Sequence, residues 1–103
     1  MRSPERSALK VLRPYNPREG IGLKEAAARA GKSESTLRNW CVQHGLGRRV
    51  GGGVWVVSKV ALAMFLDDDR SALTAYLDGD RSGPLVKPYF TRVGITLPPA
   101  RSG

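Results

Sequence analysis

Between Gly20 and Leu66 the chain twice sets an apolar stripe at helical spacing and closes it with glycine. In the first stripe Leu23, Ala26, Ala27 and Ala30 recur at i, i+3, i+4 and i+7, and Gly31 ends it. Ser33 then stands where a side chain caps a helix, and Leu37, Trp40, Cys41 and the flat side of His44 repeat the spacing up to Gly45. An alanine-rich helix, a short link containing glycine and a second helix with a narrow core face predict a helix-turn-helix, because small side chains let the two helices cross closely.

The second helix carries Ser35, Arg38, Asn39 and Val42 opposite its core face, with Gln43 at the edge and Glu34 in the first turn. Arg can grip guanine O6 and N7 with two bonds, Asn or Gln can do the same for adenine, and Val can meet a thymine methyl. A polar face also suits plain solvation, so the helix alone leaves both readings open. The residues after Gly45 favour DNA. Arg48, Arg49 and Val50, a run of three glycines and then Val54 to Val57 predict a hairpin, and a hairpin directly after such a helix is a wing. Arg48 and Arg49 sit at its base, where phosphates could be met, while the tip carries no charge. Trp55 reads as cover for the core rather than a wedge between bases. Ser58 caps a third helix with Val60, Ala63, Met64 and Leu66 inward. The fold class is therefore mainly α with a small β-hairpin, a winged helix-turn-helix.

Charge supports the same partner. The formal charge of +8 and pI near 10.4 call for a polyanion. The charge is also segregated: residues 1–20 carry +3, 21–66 carry +5, 67–80 carry −4 and 81–103 carry +4. A chain of 103 residues makes one small domain with tails. The single cysteine, Cys41, rules out an internal disulfide and suits a reducing cytoplasm. No apolar run is long enough to span a membrane and the N-terminus lacks a signal-peptide core, so a cytoplasmic protein is expected.

The run LKEAAARAGKSESTLRNW, the glycine after it, the Gly-rich wing and VSKVALAMFLD together resemble the small winged helix-turn-helix proteins of the excisionase type, related to the DNA-binding domain of MerR-like regulators. The resemblance covers about 45 residues. It implies that the second helix enters the major groove and that the wing meets the neighbouring backbone or the minor groove. It further implies Ser33, Ser35, Arg38 and Asn39 as groove contacts, and Arg48 and Arg49 as wing contacts. Duplex DNA is the implied partner, together with self-association on DNA and a tyrosine-type integrase. The implied function is that of a recombination directionality factor, which binds beside an attachment site and directs excision of a mobile element. A transcription regulator of the same fold and a protein-interaction adaptor are the alternatives.

Neither catalysis nor a cofactor is expected. His44 is the only histidine, and it reads as a structural residue that caps carbonyls at its helix end. The glycine run lacks the Lys and Ser/Thr of a phosphate loop. Asp67, Asp68 and Asp69 lack the spacing of a metal loop and instead mark a helix boundary, with Asp69 capping a helix from Arg70 to Leu77 that turns Leu73, Tyr76 and Leu77 inward.

The expected organisation is a basic N-terminal arm (1–19), the winged domain (20–78) and an extended basic tail (79–103). In the arm, Leu9, Val11, Leu12 and Tyr15 form an apolar patch that lies against the core; the alternative is a basic arm tracking phosphates through Arg2, Arg6, Lys10, Arg13 and Arg18. In the tail, Pro88, Pro98 and Pro99 argue against a helix, yet the segment is too apolar for a free linker. It either covers the chain's own core or docks on a neighbour.

Overall fold

A computed structural model of the chain describes residues 11–12 and 17–95. The helical pair forms as predicted. Helix α1, Leu23–Ala30, ends at Gly31, and helix α2, Glu34–His44, runs from a Ser33 cap to Gly45. The Ser33 hydroxyl accepts from the Thr36 N–H at 3.1 Å, which satisfies one of the donors that a helix start leaves open. Ala26 and Ala27 of α1 are buried, as are Leu37 and Cys41 of α2, so the small residues do sit where the helices approach.

The wing is also as predicted, and it belongs to a larger sheet. Strands β2, Gly47–Arg49, and β3, Trp55–Ser58, pair antiparallel, and a third strand β1, Gly20–Gly22, pairs with the other edge of β3. Strand β1 has no signal in the sequence, since Gly-Ile-Gly carries one apolar residue and no alternation. It forms because β3 offers an open edge beside the start of α1. At the tip Gly51 and Gly52 both have positive φ, the backbone that a tight hairpin turn needs at its two central residues. Gly47 has a different reason. A side chain there would meet the Val56 carbonyl oxygen and come within 2.8 Å of Val57 Cα and 3.0 Å of Cys41 Sγ, so only glycine lets the strands and α2 close up.

Helix α3, Lys59–Leu66, starts on the Ser58 hydroxyl, which accepts from the Ala61 N–H. Its expected inward face needs correction. Val60 and Met64 are buried, but so are Ala61 and Leu62, whereas Leu66 is 46% exposed. The helix runs through the middle of the molecule and is packed around most of its girth, so a single stripe understates its burial. Helix α4, Arg70–Leu77, follows with Asp69 as its cap; Ala72 and Tyr76 are buried, with Leu73 and Leu77 partly so.

The tail departs from expectation. Lys87–Arg92 form a helix, α5, in spite of Pro88. Proline there lies in the first turn, where its missing N–H has no partner to lose. Val86, Tyr89, Phe90 and Ile95 are buried in the common core, so the tail up to Ile95 packs on its own chain. Val11 and Leu12 join the same core. The expectations for residues 1–10, 13–16 and 96–103 lie outside the described residues.

A buried polar chain ties these segments together. Glu19, only 5% exposed, accepts from the Tyr76 hydroxyl at 2.5 Å, and Ser58 Oγ lies 2.8 Å from the same hydroxyl. Tyr76 has one proton to give and gives it to Glu19, so Ser58 donates to Tyr76. Burial, reinforced by the Glu19 charge, pushes the Tyr76 hydroxyl far above its ordinary range and keeps that proton in place. Arg81 completes the arrangement, its guanidinium 4.1 Å from the Tyr76 ring centre and its Nε 3.8 Å from Glu19.

Candidate nucleic-acid interface

Helix α2 is held from beneath and open above. Leu37 and Cys41 sink into the core, and Trp40 leans on Phe65 with ring centres 4.7 Å apart. Burial pushes the Cys41 thiol up to about 11, so it stays protonated and acts as a small apolar plug. His44 also rests on Phe65, again at 4.7 Å, and makes no side-chain hydrogen bond among the described residues. The expected capping role is thus replaced by ring packing.

This anchoring leaves Ser35, Arg38, Asn39, Val42 and Gln43 exposed on the outer face. Val42 is 58% exposed, and Arg38 and Asn39 hold no hydrogen-bond partner among the described residues. Their donors and acceptors are therefore available to a ligand without breaking anything. Ser33 differs: its hydroxyl donates to Thr36 Oγ1 while accepting from the Thr36 N–H, so it is already engaged in starting the helix.

The two wing arginines leave the hairpin on opposite faces, because they are successive residues of one strand. Arg49 pairs with Trp55, on the same face as Gly47 and therefore on the side of α2. Its guanidinium donates to the carbonyls of Gly52 and Gly53 at 3.1 and 3.2 Å, bracing the tip, yet the residue stays exposed. Arg48 pairs with Val56 on the far face and is half-buried. Both its Nε and Nη2 donate to the Leu12 carbonyl, at 3.0 and 2.6 Å, and its Nη1 donates to the Arg49 carbonyl. Residue order alone makes the two equals; the fold separates them.

Between wing and helices runs an open groove lined by Gly20–Lys24, Glu34 and Val54–Val56. Lys24 is an exposed cation on its rim, absent from the site expected of the sequence. Its place at the start of α1, next in sequence to Leu23 of the apolar stripe, is the signal that could have found it.

In the acidic island Asp67 and Asp69 are engaged by side chains of α5. The Tyr89 hydroxyl lies 2.9 Å from carboxylate oxygens of both Asp67 and Asp69, and Arg92 bridges to Asp67 at 2.7 Å. Hydrogen bonds from Arg92 and Tyr89 hold the Asp67 carboxyl below its ordinary range. Among the described residues no group of three His, Cys, Asp or Glu side chains gathers as metal ligands, and no helix is long and apolar enough to cross a membrane.

Comparison with known proteins agrees with the geometry. Residues 21–70 match the family model of a helix-turn-helix domain, a span that starts in β1 and includes α1, α2, the wing and α3. No curated protein and no solved structure matches the chain. The matched segment, the capped helix pair and the open face of α2 together support a small helix-turn-helix protein of the DNA-binding kind.

Proposed function

We propose that the chain is a sequence-specific, non-catalytic binder of duplex DNA that acts as an excisionase, binding beside an attachment site and directing an integrase toward excision of a mobile element. The observation that carries the DNA-reading part is the pair Arg38 and Asn39, exposed on α2 with no partner among the described residues. In this reading α2 lies in the major groove. Arg38 and Asn39 contact base edges, Ser33 and Ser35 the groove wall near the helix start, and Arg49 a flanking phosphate. One helix and one wing read few base pairs, so useful specificity calls for several copies side by side on DNA. The excisionase part rests on the likeness of the helix pair, wing and α3 to that type of protein.

Footprinting with excess competitor DNA, on the attachment sites and promoters of the element that encodes the chain, tests both parts. Protection of adjacent repeats beside an attachment site is the expected result. Protection of a promoter alone would replace the excisionase with a transcription regulator of the same fold. Absence of protection at low salt would remove the DNA-binding reading itself.

A further inference from the structure

Helix α4 and its flanks form the acidic stretch of a basic chain: residues 67–80 carry −4 where the whole carries +8. An open cleft of about 260 Å³ lies there, floored by Met64, Phe65, Leu73 and Leu77 and rimmed by Asp68 and His44. Phe65, Leu73 and Leu77 are only half-buried, so apolar surface is left open in it. Phe65 is also the ring on which Trp40 and His44 rest, which sets the cleft against the C-terminal end of α2. Duplex DNA does not suit this cleft, because an apolar floor offers phosphates nothing and the carboxylates around it repel them.

The wing has the complementary character. Val54 at its tip is 70% exposed, the highest value of any large apolar side chain among the described residues. The glycines beside it carry no charge, while Arg49 behind it braces the tip and supplies a cation. No wing residue lines the cleft, so tip and cleft are separate patches of one molecule. An apolar side chain backed by a cation matches an apolar floor with an acidic rim. A contact between two different patches repeats head to tail and, unless its rotation closes a ring, winds as an open helix. That is the symmetry a row of copies along duplex DNA requires.

We propose that the cleft receives the wing tip of a second copy of this chain, with Val54 seated on Phe65, Leu73 and Leu77 and the basic wing drawn to the acidic rim. This rests on the DNA-binding reading and assigns the contact that several copies side by side on DNA need.

The test uses the full chain and two variants at exposed positions, Val54→Ser at the tip and Thr74→Arg on the wall of the cleft. Each protein is titrated on duplexes carrying one copy, or two adjacent copies, of the sequence that footprinting shows to be protected. The parent is expected to fill the second site about tenfold more tightly than the first, the scale of burying part of one apolar side chain. Each variant is expected to keep its one-site affinity and to lose that factor. Mixing the two variants is expected to restore part of it, because the intact tip of Thr74→Arg fits the intact cleft of Val54→Ser. Unchanged cooperativity in either variant, or no rescue in the mixture, would overturn the proposal. So would a parent that binds one site but fills two independently, a result that leaves the DNA-binding reading standing. A parent that binds neither duplex would remove both.

Discussion

Helix α2 and the wing both bring arginine to one region of the molecule, but they differ in what those arginines already hold. Arg38 is bound to nothing among the described residues, whereas Arg49 braces the wing tip and Arg48 makes three hydrogen bonds to backbone carbonyls. Turning Arg48 toward a phosphate would give up charge-assisted bonds of about 1.5 to 3 kcal/mol each. A basic residue in a sequence is therefore a charge, and only its surroundings say whether that charge is free to bind. The wing is stiffened from within, and the helix is kept ready for an outside partner.

The contrast can be broken most severely at Gly47, where strand, helix and Cys41 meet. Gly47→Ala is expected to cost about 1 to 3 kcal/mol or more in urea unfolding, since backbone atoms are the obstacle and cannot rotate away. It should also speed alkylation of Cys41, whose thiol is shielded in the parent. A stable variant with an unreactive Cys41 would mean that wing and α2 are not rigidly coupled.

Specific binding comes next. Arg38→Ala should lose about 1 to 3 kcal/mol on the specific site and relax preference at one base pair. Equal loss on specific and random DNA would refute base reading by that side chain. For Arg49→Gln the expected loss is smaller, uniform across sequences, and accompanied by a salt slope lower by about 1. If Arg49 instead serves only to brace the tip, the slope will stay the same.

The smallest effect belongs to the acidic corner, which lies outside both regions. The Asp67 carboxyl titrates below its unfolded value of about 3.9, so its pairing stabilises the fold above that pH and is lost as pH falls through the lower folded value. Arg92→Gln should therefore lower stability at neutral pH, with the difference from the parent shrinking in acid, and should leave specific DNA binding as it was. A difference that persists at low pH would assign the effect to packing of Arg92 on the Tyr89 ring, 4.6 Å away.

Much of this site is legible in residue order. The caps at Ser33, Ser58 and Asp69, the glycine stops and the helix spans all form as expected, because each depends on neighbours within a turn of helix. The outward set of Ser35, Arg38 and Asn39 follows from the same periodicity. The tail helix is harder to see, because proline breaks a helix in its interior but suits its first turn, and only the position of Pro88 within the turn separates the two cases.

What only the tertiary structure decided lies in contacts between distant residues. Strand β1 exists because β3 has an edge to fill, Glu19 is buried because Tyr76 meets it across 57 residues, and Arg48 is held because Leu12 turns back onto the wing. Local spacing determines which backbone forms and which side chains face outward. Whether an outward charge is engaged or free depends on which far segment the core draws against it, and hydrophobic burial sets that without regard to order along the chain.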